Sequence, residues 1–191
     1  MNIGIIDCGG ANLNSIYYSF KRLGINAIIS KSVNELSEMN AYVLPGVGSA
    51  DVVMNTLRKR DLINFIKCTN KPILGICIGM QILFDYSEEN QTRCLGIIDG
   101  NIEKFSVNDG INVPQMGWNK VECDSDKNLN GFYYFANSYF NKDSKFTIGY
   151  SSYGKKFSSI IKKDNILGCQ FHPEKSSKAG ERFLTYFIKS I

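Results

Sequence analysis

Short apolar runs alternate with longer amphipathic segments through the first 86 residues of the chain. Four of these runs predict buried strands, at residues 3–6, 26–29, 41–44 and 72–75. Between the strands, apolar side chains recur every three or four residues, as they do on one face of a helix. The clearest examples are residues 13–23 and 51–68, with an interruption near Arg60 and Asp61. Strands that alternate with helices predict an open, doubly wound, mostly parallel sheet.

The pattern changes after about residue 95. Short segments rich in β-branched and aromatic residues predict a meander of antiparallel strands packed on the parallel sheet; they span residues 102–105, 117–122, 132–135, 147–150 and 158–162. A further strand (166–171) and a closing helix (177–190) follow. Because no internal repeat or low-complexity linker interrupts the chain, residues 1–191 are predicted to form a single α/β domain with a flavodoxin-like sheet flanked by helices.

Composition and charge exclude several functional classes. The net charge of +4 is mild and dispersed, whereas nucleic-acid binding requires a concentrated basic surface. The six cysteines form no C-x-x-C pair, which argues against a metal site and favours free thiols in a reducing compartment. The first residues lack the features of a signal peptide, and no apolar run approaches the roughly 20 residues of a membrane span. We therefore expect a cytoplasmic protein with no metal, no nucleic acid and no membrane contact.

Cys77 is the first candidate for chemistry. It occupies a Gly-x-Cys-x-Gly turn, Gly75 to Gly79, between a predicted strand and a predicted helix. This arrangement resembles a nucleophile elbow, in which glycines allow a turn too tight for side chains at both ends. The amides that open the following helix favour the thiolate, which is the nucleophilic form. The alternative is an inert buried cysteine at the end of a strand.

His172 is the only histidine of the chain and directly follows the last predicted strand. A thiolate nucleophile needs a proton shuttle with a pKa near neutrality, and imidazole is the usual group. Glu174 lies two residues further on, with Pro173 stiffening the turn, so its carboxylate is well placed to orient the ring. The alternative is a surface histidine without a catalytic role. The sequence therefore predicts that Cys77 and His172 face one another.

Three segments together resemble the triad class (class I) of glutamine amidotransferases: Pro45–Gly48, Gly75–Gln81 and Gln170–Ser176. More narrowly, the segment 113–119, the Ser138–Tyr139 pair and Lys175 resemble the glutaminase subunits of imidazole glycerol phosphate synthases. The resemblance covers nearly the whole chain. It implies hydrolysis of L-glutamine to glutamate and ammonia, without a cofactor.

The resemblance also implies roles for individual residues. Cys77, His172 and Glu174 would form the catalytic triad, and backbone amides at Gly48 and Ile78 would form the oxyanion hole. The residues implied for glutamine binding are Gln81, Glu89, Ser138 and Tyr139, with Glu88 as a competing choice for Glu89. Those implied for the partner side or an ammonia tunnel are Asn12 and Lys175.

The family further implies a partner, a (β/α)₈-barrel synthase subunit that consumes the ammonia within a heterodimer. Such a complex makes imidazole glycerol phosphate and aminoimidazole carboxamide ribotide during histidine biosynthesis. In the family the isolated glutaminase has little activity, because the strand Pro45–Gly48 must rearrange at the Gly46–Val47 peptide before it offers its amide. The glycines of this strand make such a rearrangement inexpensive.

The sequence departs from the family pattern at Cys8, Ala11 and Asn137. These departures leave open a paralogous subunit that supplies ammonia for acetamidino groups on surface sugars. The triad residues would equally fit a glutaminase partner for anthranilate, guanylate or carbamoyl-phosphate synthesis, and a cysteine hydrolase acting on peptides is a third hypothesis. If Cys77 is inert, the chain would instead be a non-catalytic binding module.

Overall fold

A computed structural model describes residues 1–9, 12–46 and 48–191. The strands that it contains, in chain order, are β1 (Asn2–Ile6), β2 (Asn26–Ser30), β3 (Ala41–Leu44), β4 (Ile73–Ile76), β5 (Tyr86–Ser87), β6 (Thr92–Arg93), β7 (Asn101–Lys104), β8 (Gln115–Cys123), β9 (Gly131–Asn137), β10 (Tyr139–Phe140), β11 (Thr147–Tyr153), β12 (Lys155–Lys163) and β13 (Ile166–Cys169). The α-helices are α1 (Leu13–Arg22), α2 (Val33–Ser37), α3 (Ala50–Lys59), α4 (Leu62–Cys68), α5 (Ile78–Gln81) and α6 (Ser177–Ile188).

The first half of the chain builds a parallel sheet, as predicted. Its strand order is β2-β1-β3-β4-β13, and each neighbouring pair is parallel. This order is the doubly wound, flavodoxin-like arrangement. The side chains of β3, β4 and β13 are buried throughout, which explains why these strands read as continuous apolar runs rather than alternating ones.

The antiparallel strands of the second half extend this sheet edge to edge. The order continues from β13 through β12, β11 and β8 to β9, giving nine strands within the described part of the chain. The expectation that the meander packs on the parallel sheet is wrong in this respect, because backbone hydrogen bonds join β12 to β13 in the same layer. The predicted strand at residues 102–105 does not belong to this meander either. It is β7, in a second sheet of order β10-β7-β5-β6.

Some element boundaries differ from the expected ones. The predicted strand 166–171 ends at Cys169, and the helix after Cys77 begins at Ile78 and spans four residues. The short helix α2, capped by Ser32 through a bond from the Glu35 N–H, was not predicted. The interruption near Arg60 is real, since α3 ends at Lys59 and Asp61 has a left-handed backbone before α4.

Helices and sheet enclose one continuous apolar core, to which every strand of the parallel half contributes buried side chains. Across residues 1–9, 12–46 and 48–191, no helix has the length and apolar character needed to cross a lipid bilayer. The carboxyl ends of β4 and β13, which are adjacent strands, lie at the same edge of the sheet. Cys77 and His172 follow these two strand ends, so the fold places both at that edge.

Candidate active site

Cys77 sits alone between β4 and α5 in an unusual backbone conformation, with φ +53° and ψ −113°. Hydrogen bonds hold it from both sides. Its N–H donates to the Cys169 carbonyl of β13 (2.8 Å), and its own carbonyl accepts from the N–H groups of Met80 and Gln81 (both 3.0 Å). A positive φ at a non-glycine residue requires such support from its surroundings. The nucleophile elbow inferred from the sequence is therefore present as a strained turn.

Three glycines allow the elbow to approach the neighbouring backbone. A Cβ atom at Gly79 would lie 1.8 Å from the Leu44 carbonyl oxygen, and one at Gly75 would lie 2.8 Å from the Gly79 oxygen. A Cβ atom at Gly46 would lie 2.4 Å from the Gly79 nitrogen. The end of β3 thus presses directly on the start of α5, which only glycine permits.

His172 is fixed on both its backbone and its ring. Its N–H donates to the Tyr134 carbonyl (2.9 Å), and its carbonyl accepts from the Ser176 hydroxyl (2.6 Å). Nδ1 lies 2.8 Å from Oε1 of Glu174, whose side chain is only 2% exposed. The carboxylate thereby orients the ring through Nδ1, and the other ring nitrogen, Nε2, is left for Cys77.

The charge of His172 is decided by three competing effects. Burial disfavours the imidazolium, but the adjacent Cys77 sulfur and the Glu174 carboxylate favour it, and together they raise the pKa of His172. The Cys77 sulfur itself lies 3.7 Å from Nε2 of Gln170 and 3.9 Å from the Ala136 carbonyl oxygen. The sulfur and the imidazole are thus neighbours, as a cysteine nucleophile and its proton shuttle must be.

Cys77 and His172 open into a cavity of about 350 Å³. Its wall contains all of the residues predicted to act at the site except Glu174, which lies behind His172: Asn12, Gly48, Cys77, Ile78, Gln81, Glu89, Ser138, Tyr139, His172 and Lys175. The wall also contains five residues that were not assigned to the site from the sequence: Gly46, Pro114, Met116, Ala136 and Asn137. A cavity of this size suits an amino-acid substrate.

The side chains predicted to bind glutamine differ in the hydrogen bonds that they make within the protein. Nε2 of Gln81 donates to the Tyr139 carbonyl and to Oε1 of Gln170 (both 2.9 Å), while its Oε1 is buried without a partner among the described residues. Glu89 accepts from the Ala50 N–H (2.7 Å), and burial raises the pKa of its carboxyl. Glu88 instead accepts from the Lys104 N–H, and of these two glutamates Glu89 is the one that lines the cavity.

Asn12 and Lys175 both line the cavity wall but make different contacts. Asn12, with φ +82°, donates from Nδ2 to Oε1 of Glu174 at 3.5 Å. The Lys175 ammonium lies 5.6 Å from the centre of the Tyr134 ring. Asn12 therefore supports the carboxylate of the predicted triad, in addition to facing the cavity.

Part of the predicted oxyanion region is not described by the structure. Gly48 lines the cavity with φ +100°, and Ile78 lines it at the start of α5. The Gly46–Val47 peptide, and the departure from the family pattern at Ala11, involve residues outside the described ones. Cys8, the other departure in that loop, is buried, and its burial raises the pKa of the thiol to about 12.

Two residues at the site had no role assigned from the sequence, where Asn137 was noted only as a departure from the family pattern and Gln170 only as the start of a matching segment. Asn137 donates from Nδ2 to the Tyr139 carbonyl (2.9 Å), and its Oδ1 is buried without a partner among the described residues. Gln170 is fully buried behind Cys77. Gln170 opens the segment that ends in His-Pro-Glu, but only the folded arrangement shows that its side chain reaches the sulfur.

Comparison with known proteins gives a consistent result. The family model described as glutamine amidotransferase class-I matches residues 4–190. A Campylobacter jejuni protein named imidazole glycerol phosphate synthase subunit HisH 2 is 46% identical over the whole of both chains. The Haemophilus influenzae protein named imidazole glycerol phosphate synthase subunit HisH is 39% identical over 100% of this chain and 98% of its own. A crystal structure described as a glutamine amidotransferase superposes with a TM-score of 0.80 at 16% identity, over 98% and 97% of the two chains.

Proposed function

The chain belongs to the class-I glutamine amidotransferases, and from this premise we propose that it is the glutaminase subunit of an imidazole glycerol phosphate synthase. The observation that carries the proposal is the convergence of Cys77 and His172 on one cavity, from the ends of two adjacent strands, with Glu174 behind His172. In this role the chain hydrolyses L-glutamine and passes ammonia to a synthase subunit for histidine biosynthesis.

The chemistry follows from the three side chains. The Cys77 thiolate attacks the side-chain amide carbon of glutamine, and the resulting oxyanion accepts hydrogen bonds from backbone amides at Ile78 and near Gly48. His172 donates its proton to the departing ammonia and so becomes neutral. It then removes a proton from a water molecule that attacks the thioester, which releases glutamate and restores the thiolate–imidazolium pair. Glu174 holds the ring through both steps.

Recognition of glutamine is assigned to the polar wall of the cavity. An α-ammonium group needs acceptors, and the Glu89 carboxylate lies in the cavity wall, as does Gln81, whose buried Oε1 has no partner among the described residues. The Ser138–Tyr139 segment completes the wall beside them. Gln81 and Glu89 are held by the protein before substrate arrives, as with the Glu89 bond to Ala50, which favours tight orientation of the ligand.

A partner is supported by an apolar surface beside the cavity mouth. Met116, Trp118 and Phe132 are 62%, 55% and 60% exposed, although large apolar side chains usually avoid water. They lie on the paired strands β8 and β9, where Met116 faces Ala136 and Trp118 faces Tyr134. We call Met116, Trp118, Phe132 and Tyr134 the β8–β9 face. Because Met116 also lines the cavity, a (β/α)₈-barrel subunit docked here would receive ammonia directly.

A second candidate function is a paralogous subunit that feeds ammonia to the synthesis of acetamidino sugars. It is favoured by two observations: the relative at 46% identity carries the number 2 in its name, and Asn137 lines the cavity at the position where, in the family that the sequence resembles, a histidine often precedes the Ser-Tyr pair. The triad chemistry is the same in both cases. Only the acceptor of ammonia, and therefore the barrel partner, differs.

The proposal is tested by measuring glutamate release from L-glutamine with and without the copurifying barrel subunit. We expect low activity alone, a strong increase when the barrel carries its substrate, and no activity in Cys77→Ala. A ribonucleotide that stimulates hydrolysis identifies the histidine pathway, whereas stimulation by a sugar intermediate identifies the paralogue. Failure of a glutamine-mimicking electrophile to label Cys77, together with no glutamate release, would rule out a glutaminase.

A further inference from the structure

The Cys77 sulfur has a neighbour that the triad does not include. Gln170 is fully buried, and its Nε2 lies 3.7 Å from Sγ of Cys77, within hydrogen-bonding reach of a sulfur acceptor. Its Oε1 lies 2.9 Å from Nε2 of Gln81, which lines the glutamine cavity. One amide group thus connects the nucleophile to the wall of the substrate pocket.

The orientation of this amide is determined by a chain of hydrogen bonds. The Tyr139 carbonyl can only accept, so the atom of Gln81 that lies 2.9 Å from it must be the NH₂ group. The second hydrogen of that NH₂ group points to Gln170, whose facing atom must therefore be its carbonyl oxygen. Reversing either amide would place two acceptors or two donors against each other in a buried site, which is costly.

The orientation of the Gln170 amide determines which of its two groups faces the Cys77 sulfur. With its oxygen turned toward Gln81, Gln170 must present its NH₂ group to Cys77. A donor aimed at a titrating sulfur stabilises the thiolate, because the charged form is the stronger acceptor. A fully buried amide cannot turn away to find water instead, so the donor is held permanently in place.

We propose that Gln170 is a further catalytic residue, which stabilises the Cys77 thiolate by a hydrogen bond whose direction is fixed through Gln81 and Tyr139. This inference rests on the proposed glutaminase function for its place in catalysis, but the state of the sulfur can be measured without glutamine. The same chain of bonds means that displacement of Gln81 at the pocket wall changes the donor at the nucleophile.

Two substitutions separate the parts of this proposal. Gln170→Glu keeps the shape and the acceptor for Gln81 but replaces the donor to sulfur with a negatively charged oxygen. Gln170→Met removes the donor without burying a charge and remains informative if Gln170→Glu does not fold. Gln115→Glu is the matched control, because Gln115 is also buried, on β8, while the hydrogen bonds of the sulfur among the described residues are to Gln170 and Ala136.

The readout is the rate of Cys77 alkylation by iodoacetamide as a function of pH, resolved by peptide mass spectrometry, with the exposed Cys68 as internal reference. The other titratable groups around the sulfur are His172 with Glu174 behind it, Cys169 on β13, and Glu89 and Lys175 in the cavity wall. All of these are unchanged in the variants, so a shift in Gln170→Met reports the loss of the Gln170 donor, and any further shift in Gln170→Glu reports the carboxyl group added beside the sulfur.

We expect the half-maximal pH of Cys77 alkylation to rise by about one unit in Gln170→Met and further in Gln170→Glu, with Gln115→Glu matching the wild type. In the complex with the barrel, Gln170→Glu should lower kcat by about 100-fold and change KM by less than about threefold. An unchanged alkylation profile in both Gln170 variants overturns the proposal, even if glutamine is hydrolysed. A shifted profile in a chain that never hydrolyses glutamine would overturn the glutaminase function and leave the thiolate contact in place.

Discussion

At the scale of single residues, the surroundings of His172 determine whether its imidazole is charged. The folded protein raises the pKa of this imidazole above its ordinary value of about 6.5, since Cys77 and Glu174 outweigh burial. The resulting stabilisation of the folded state is therefore fully present below about pH 6.5. It is lost as the pH rises through the pKa of His172 in the folded protein, which is about 10. Unfolding experiments at increasing pH should show this loss.

We predict that Glu174→Gln lowers the pKa of His172, because it removes the carboxylate that lies 2.8 Å from Nδ1. Since the chain has one histidine, its Cε1–H signal in an NMR titration reports this residue without ambiguity. Glu181→Gln on the exposed side of α6 is the control and should leave the midpoint unchanged. Equal midpoints in wild type and Glu174→Gln would show that the carboxylate does not hold the imidazolium.

At the scale of elements, the site depends on how closely the end of β3 approaches the start of α5. The sequence correctly predicted a tight turn at Cys77, because the glycines at both ends of a Gly-x-Cys-x-Gly segment allow a turn that larger residues do not. It did not indicate that Gly79 packs on the Leu44 carbonyl or that Gly46 packs on Gly79. Such contacts join separate segments and arise only from their packing.

We predict that Gly79→Ala destabilises the fold by about 3 kcal/mol or more, at the upper end for single substitutions. A Cβ atom there would lie 1.8 Å from the Leu44 oxygen, which is backbone and cannot move away. Gly24→Ala is the control: Gly24 has φ +73° but no atom within 4 Å of the added Cβ. Gly24→Ala should lower the free energy of unfolding by only about 1–2 kcal/mol, which is the cost of a left-handed backbone at a residue other than glycine. Urea unfolding measures both, and similar losses would contradict the proposed packing.

Much of the parallel half was predictable because its strands are buried on both faces and so read as apolar runs. The convergence of Cys77 and His172 was predictable for a related reason, since both residues follow strands of one parallel sheet. The pairing of β7 was not, because its partners β5 and β10 are two residues long and carry no periodic signal. The direction of the Gln170 amide could not be predicted from the sequence either, since it depends on Gln81 and on the backbone carbonyl of Tyr139, which are distant along the chain.

At the scale of the whole molecule, the parallel and antiparallel halves of the sheet both contribute residues to the cavity. The parallel strands position Cys77 and His172, while β8 and β9 supply Met116 and Ala136 to the cavity wall and an apolar surface beside it. The Trp118 ring contacts Tyr134 edge-on, with 6.2 Å between the ring centres, and Lys175 lies over the same Tyr134 ring. The β8–β9 face is thus continuous with the wall of the cavity, which suits the proposed partner, a protein that receives a small diffusing product.

We predict that docking of the barrel subunit buries Trp118 and shifts its fluorescence emission to shorter wavelength. Trp118 is the only tryptophan of this chain and is 55% exposed, so burial of its indole should give a clear change. Spectra of the same complex with Trp118→Phe supply the contribution of the barrel itself and are subtracted. As a second test, Phe132→Ser on the same face should weaken the complex by about tenfold or more, because burial of one large apolar side chain contributes about 1.5–3 kcal/mol. An unshifted difference spectrum in a complex that is fully active would place the partner on another surface, and ammonia would then need a different exit from the cavity.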